Sequence, residues 1–404
     1  MWPTGRHPTA LRRVWTSWLL MVLGSRFGGL VLPWIVLTVS GSPWRAGLVL
    51  AVEQLPPLLF SGVLGTRLSA PRRQRWAVTG TAAEALVWAL LAWLATRHEL
   101  GVAVLGAAAL LVGAADTTRG VAFSAWLPNA IGRRWLPDAH RLLEGADALA
   151  TVLGPLVAGW LFMVVGDAPV LLVNAAALAA AALVLWRVVP ESTPAAGPPA
   201  EAPVRWREGF ATLWRRGRLR MVAGIRLAYE LSGAAFILVL VLVQHTPGLT
   251  VGDAGIILSA AGVGDVVSVA LLQRVGHWPW RSVLAAFTLA AAAGMVLLAA
   301  SRTVALASAA MFLMDGALAG GYPILGAALQ AHTPDADLGM VGGASHTLAA
   351  AERLGARFFG GAGGALGAPI CLMLLGGLLV GAGTWSAVGG RLSSAVSDVG
   401  GEAP

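Results

Sequence analysis

A chain of 404 residues that is 57% hydrophobic and only 12% charged is not built for water, because a soluble fold of this size keeps about a quarter of its residues charged. Its net charge of +8 rests on 28 basic residues that are all arginine. They cluster in short segments between apolar runs, which is topology and lipid contact rather than the basic stripe of a nucleic-acid-binding domain. Cys371 is the single cysteine, which excludes an internal disulfide and a thiolate metal site, and no phosphate-cradling loop or nucleophile motif points to an ATP-driven pump or a soluble enzyme.

Runs of the roughly 20 apolar residues needed to cross a hydrocarbon layer recur through the chain and predict twelve spans, at residues 14–39, 44–65, 76–95, 100–127, 143–165, 169–189, 219–243, 251–272, 281–300, 304–330, 341–362 and 366–388. The expected fold is therefore an all-α membrane protein. With an even span count, Arg45, Arg97 and Arg302 fall on one side, five arginines lie within spans, and the other twenty (28 minus 3 minus 5) fall on the opposite side. The positive-inside rule then puts both termini in the cytoplasm and the first span in the role of a retained helix rather than a cleaved leader. Trp15, Trp18, Trp44, Trp76, Trp126, Trp186 and Trp385, near span ends, are expected as interfacial anchors.

The first span carries Arg26 near its middle, where a lone cation costs several kcal/mol and should face a cavity or an acid. The second holds Glu53 and then Pro56-Pro57, which interrupt the helix ladder and free backbone carbonyls. The following loop contains Gly62, Arg67, Arg72 and Arg73. It resembles the Gly-x-x-x-Asp-Arg-x-x-x-Arg-Arg loop between helices two and three of the major facilitator superfamily, with Thr66 where the family has aspartate.

In the third span Glu84 shares a face with Trp88. In the fourth, Asp116 and Arg119 stand three apart on one face, either as an internal ion pair or as part of a proton or substrate pathway. The fifth carries Gly145, Gly154, Pro155 and Gly159, which resembles the Gly-x8-Gly-x3-Gly-Pro-x-x-Gly-Gly signature of facilitator antiporters, with Ala150 and Ala158 at two of its glycine positions. Small residues let helices approach closely, so ordinary packing explains the same glycines. The loop after the fourth span, and residues 322–343, are similar to the superfamily branch of the enterobactin exporter and multidrug proton antiporters.

The long polar stretch at 190–220 divides the chain. Its first part is a Pro-rich linker, and its second sets Trp206, Phe210, Leu213 and Trp214 at helical spacing among arginines, as in a helix lying beside anionic headgroups. Met21-Val22-x-Gly24-x-Arg26 recurs as Met221-Val222-x-Gly224-x-Arg226, an offset of 200 (226 minus 26). Pro137-Asp138-Ala139 recurs as Pro334-Asp335-Ala336, an offset of 197 (334 minus 137). Two matches at nearly one offset argue for a duplication. The expected organisation is an N-terminal six-helix half (1–189), a cytoplasmic linker with an amphipathic helix (190–218), a pseudo-symmetric C-terminal six-helix half (219–390) and a cytoplasmic tail (391–404).

In the second half Arg226 and Glu230 stand four apart, Asp265 and Asp315 have no basic residue within a turn, and His346, Arg353 and Arg357 share a face from which Glu352 points away. The spans hold eight acids (Glu53, Glu84, Asp116, Asp147, Glu230, Asp265, Asp315, Glu352) against five arginines (Arg26, Arg119, Arg226, Arg353, Arg357). Three acids (8 minus 5) exceed the available partners, and a carboxyl in low dielectric can load and release a proton. Arg26 and Arg226, at equivalent repeat positions, either hold an anionic group of a substrate or neutralise nearby acids.

Together with the resemblance, these residues imply a secondary transporter exporting a small organic molecule, such as a drug, siderophore or secondary metabolite, against inward proton flow. Protonation of one or more of Glu53, Asp265 and Asp315 would release the cargo. An uncoupled metabolite or lysolipid facilitator, or a membrane scaffold or sensor, stays open. No enzyme activity, cofactor or metal is expected. The expected partners are a small-molecule substrate, protons and membrane lipid, with no nucleic acid, for a monomer in a bacterial plasma membrane.

Overall fold

The computed structural model describes residues 9–60, 72–132, 135–189, 206–275, 278–333 and 338–399, with the side chains of 137, 206–209, 338–340, 342, 343, 346 and 388–399 outside the description. Among the described residues every regular element is helical. In the first half these are α1 (Thr9–Ser40), α2 (Pro43–Glu53), α3 (Arg73–Thr96), α4 (Val102–Ile131), α5 (Leu136–Val165) and α6 (Asp167–Trp186). In the second they are α7 (Trp206–Arg215), α8 (Gly217–Ser232), α9 (Ala235–His245), α10 (Val251–Val275), α11 (Trp280–Ala299), α12 (Val304–Ala331), α13 (Leu338–Gly361), α14 (Gly363–Leu366) and α15 (Ala368–Val399).

Ten of these segments, with α8 and α9 taken together, are long and apolar enough to cross a membrane. The expected twelve are completed by α2 with helical residues 55–60, and by α13, which carries Glu352, Arg353 and Arg357. The Pro-rich linker at 190–205 lies outside the described residues.

The chain forms two compact units, one of residues 1–202 with Leu249–Ser259, the other of Pro203–Gly248 with residues 260–404. Within the first, α1 packs on α5 and α6, and α3 packs on α6 and α4. Within the second, α8 packs on α13 and α15, and α11 packs on α15 and α12. The two lists are the same arrangement shifted by one half-chain, which is the packing expected of a duplicated bundle. Many hydroxyls inside the helices are satisfied by their own turn, since no water reaches the hydrocarbon layer. Thr117 donates to Gly113 O (2.6 Å), Thr81 to Ala77 O (2.9 Å) and Ser232 to Ala228 O (2.7 Å).

Several local expectations change. The break in the second span falls at Gln54, whose N–H donates to Ala51 O at 3.0 Å, and the helix resumes at 55–60 through both prolines. Pro57 cannot donate to the Glu53 carbonyl four residues back. That carbonyl instead faces Gly113 of α4, so closely that a Cβ there would lie 2.1 Å from it. The seventh span is two helices, because Gly233 and Ala234 close three-residue turns onto Glu230 O and Leu231 O (3.1 and 3.0 Å). The tail expected at 391–404 is partly helical, as α15 continues to Val399.

Trp126, expected at the interface, is buried in a core with Leu11, Val14, Phe123 and Ile131. Its ring lies 6.2 Å from Phe123, and burial of so large a side chain against other helices outweighs its interfacial preference. Leu213 of α7 is likewise buried with Leu219, Val341 and Ala344, while Trp214 is exposed. Part of the apolar face of α7 is thus covered by α13.

Candidate functional site

Each unit concentrates its charge in one place. In the first, α4 presents Asp116 and Arg119 one turn apart, and the guanidinium bonds the Asp116 carboxylate. On its other side Arg119 Nη1 lies 3.6 Å from Glu84 Oε2 of α3, with side-chain exposures of 9% for Arg119, 3% for Glu84 and 55% for Asp116. One cation therefore serves two carboxylates, the inner pair dry and Asp116 opening outward. Such a pair survives burial only while both partners stay. Nearby on α3, Trp88 is buried, and Asn174 of α6 is buried with neither amide atom hydrogen-bonded. Arg26 of α1 packs on Gly154 of α5, where a Cβ would lie 2.6 Å from its own. It is within electrostatic reach of Asp147, which accepts a hydrogen bond from Trp18 Nε1 at 3.2 Å.

In the second unit Glu230 of α8 sits between two arginines, 3.7 Å from Arg226 Nε and 3.6 Å from Arg353 Nη1 of α13. Arg226 Nη1 also donates to Ser345 Oγ at 3.0 Å. Glu352, the neighbour of Arg353, is buried with neither carboxylate oxygen hydrogen-bonded, within reach of the charges of Glu230, Arg226 and Arg353. Tyr322 of α12 completes the cluster. Its hydroxyl is in the field of Glu230, Asp315, Arg226 and Arg353, and its ring stands edge-on to Tyr229 at 5.3 Å. These are the chain's two tyrosines, and Tyr229 is held from behind by Thr288 (2.9 Å).

The structure brings together Asp116 with Arg119, and Arg226, Glu230 and Arg353 with Glu352. Glu53, Asp265 and Asp315 are half-buried, and each takes part in a polar, ionic or electrostatic interaction. The absence of a base within a turn therefore did not leave them bare. Asp116 and Asp315 stand 199 apart (315 minus 116), in line with the repeat. Glu84, Asn174, Ser345 and Tyr322 are the contributors that sequence reasoning left out of the pathway.

Of the loop motif, Gly62 and Arg67 lie outside the described residues. Arg72 precedes α3, and Arg73 Nη1 donates to Ala125 O at 3.2 Å, tying the start of α3 to α4. Of the fifth-span motif, Gly154 and Gly159 are close-approach positions. A Cβ at Gly159 would lie 2.7 Å from Val251 O, and one at Gly255 2.5 Å from Pro155 O, in the segment that clusters with the first unit. Gly145 meets nothing within 4 Å. It is exposed and is not a packing glycine.

Two helical bundles of one packing plan, each crossing the membrane repeatedly and each holding a charged cluster, define a multi-pass transporter architecture. The chain belongs to the Major Facilitator Superfamily, whose sequence signature matches residues 14–351. Among curated proteins it is similar to the multidrug efflux pump Tap of Mycobacterium tuberculosis and of Mycobacterium bovis, 28% identical over 164 residues. That match covers 39% of this chain and 39% of those relatives, so the chain spans about two fifths of their length. Among solved structures it is similar to the nucleoside transporter NupG (TM-score 0.71, 14% identity, 94% of this chain and 99% of that one). It is also similar to a bacterial homologue of the iron transporter ferroportin in an inward-facing state (0.69, 14%, 93% and 98%). A third likeness is to the human organic anion transporter MFSD10 (0.62, 15%, 94% and 100%). At these identities the likeness is one of fold.

Proposed function

We propose that this chain is a secondary transporter, with no enzyme activity of its own, that exports a small organic molecule in exchange for protons. Cytoplasmic termini in a bacterial plasma membrane, an N-terminal half at 1–189 and a C-terminal half at 219–390 joined by a cytoplasmic linker, and action as a monomer belong to the same reading. The observation that carries it is the surplus of carboxylate over cation around Arg119. Glu84 and Asp116 share one guanidinium that cannot lose its own proton. The dry inner carboxylate therefore has reason to take up a proton whenever Arg119 turns toward Asp116. In the proposed cycle, loading that proton releases Glu84 from Arg119, and this frees the cluster to rearrange as access alternates. The likeness to a multidrug efflux pump supports export of a drug-like cargo.

The second cluster, Arg226, Glu230, Glu352 and Arg353 with Tyr322, is the proposed cargo contact in the second unit. Its two arginines and paired rings suit an organic molecule carrying both an acidic and an aromatic part. Glu53, Asp265 and Asp315 remain proposed members of the pathway, and Arg26 its counterpart in the first unit. A toxicity screen in cells overproducing the protein identifies a cargo for proteoliposomes. An imposed pH gradient is then expected to drive its accumulation, and Glu84→Gln to remove the dependence on that gradient while binding persists. Accumulation indifferent to the gradient would instead favour the uncoupled facilitator, and absence of labelled-cargo counterflow a scaffold or sensor.

A further inference from the structure

We propose that Met163 is an oxidation site, whose reversible conversion to the sulfoxide opens the seam between α5 and the first turns of α10. Both sides of this seam lie in the first unit. Most of it is backbone against backbone. A Cβ at Gly159 would lie 2.7 Å from Val251 O, and one at Gly255 2.5 Å from Pro155 O. One turn beyond Gly159, the Met163 Sδ rests in a notch at Gly252, 2.3 Å from where a Cβ would stand. The thioether thus closes, with a flexible side chain, the end of a seam otherwise too tight for side chains.

The same sulfur is open to a dissolved oxidant. Met21, Met221, Met295, Met311 and Met314 are at most 4% exposed, whereas Met163 is 53% exposed. It stands two residues from the end of α5 (165 minus 163), and its Sδ receives the hydroxyl of Thr250, the residue before α10, at 3.2 Å. Both helices are long and apolar enough to cross the membrane, so the sulfur between their ends lies at the edge of the hydrocarbon layer. The Thr250 hydroxyl shares its one proton between Sδ and Asp253 Oδ2 (2.8 Å), and Thr250 is exposed. A small neutral oxidant such as hydrogen peroxide therefore reaches Sδ. One peroxide oxygen passes to a sulfur lone pair, the O–O bond breaks, the sulfide gives up two electrons and water leaves. The product is larger and polar, and the notch at Gly252 has no room for it. The side chain then swings into water and uncovers the end of the seam. A methionine sulfoxide reductase reverses the step.

The test treats purified full-length protein with dilute hydrogen peroxide and follows each methionine by peptide mass spectrometry, with melting curves on the same samples. Met163 is expected to oxidise about tenfold faster than the five buried methionines, and melting to fall by about 2–4 °C as its sulfoxide accumulates. Methionine sulfoxide reductase with a thiol reductant is expected to restore both. Met163→Leu, which fills the notch without a sulfur lone pair, should keep its melting point under peroxide. Met163→Gln, polar like the sulfoxide, should show the lower melting point with no peroxide at all. Oxidation of Met163 no faster than that of the buried residues would overturn the proposal, as would a sulfoxide that leaves melting unchanged. An equal peroxide-induced loss in Met163→Leu would also overturn it, placing the effect at another methionine such as the exposed Met373.

Discussion

Arg119→Ala is expected to be the most damaging single substitution in the first unit. It removes the only guanidinium that, among the described residues, lies within bonding distance of the Glu84 and Asp116 carboxylates and leaves Glu84 charged in a dry setting. Breaking a buried pair by deleting one partner costs about 3–5 kcal/mol, more than the pair itself contributes, because the remaining charge is uncompensated. Most of the penalty should come from Glu84, since Asp116 is half exposed and solvated in its own right. The double variant Arg119→Ala with Glu84→Gln should therefore recover much of the lost stability, whereas Arg119→Ala with Asp116→Asn should recover little. Melting of the three variants in detergent separates these outcomes. Equal rescue by both partners would mean that the inner pair is not the costly one.

Gly113→Ala ranks second. Its new methyl would lie 2.1 Å from the Glu53 carbonyl oxygen, a backbone atom that cannot rotate aside. Overpacking of this kind costs about 1–3 kcal/mol and shifts the backbone. Since Gly113, Asp116 and Arg119 ride on the same helix, a displaced α4 also moves the guanidinium relative to Glu84, so transport should fall along with stability. Gly120, on the same helix with nothing within 4 Å of a built Cβ, supplies the contrast. Gly120→Ala is expected to leave transport intact and stabilise the helix by about 0.5–1 kcal/mol. A comparable loss from both changes would show that helix propensity, not the Glu53 contact, governs α4.

The fold was readable because a membrane imposes a coarse rule. Each span must be long, apolar and internally hydrogen-bonded, and the duplicated Met-Val-x-Gly-x-Arg register pointed to a repeat without any knowledge of contacts. Pairs on one helix were readable for the same reason, so Asp116 with Arg119 and Arg226 with Glu230 were found from spacing alone. Contacts between helices were not. Nothing in the third span distinguishes Glu84 as the far partner of Arg119, or Ser345 as the acceptor of Arg226. Helix rotation decides both, and an evenly apolar helix carries little rotational signal. The displaced break in the second span has the same origin. The prolines announce lost hydrogen bonds, but where the chain turns depends on Gly113 offering room to the freed carbonyl.

The two halves also differ in how they can respond when their charged clusters rearrange. Arg26 is carried by the 32-residue α1, which runs on through Pro33 to Ser40 as one helix. Arg226 and Glu230 ride on the 16-residue α8, which stops at Ser232 just short of the Gly233-Ala234 joint. A change at that cluster thus meets a joint within three residues, whereas the helix that carries Arg26 has no such joint on either side of it.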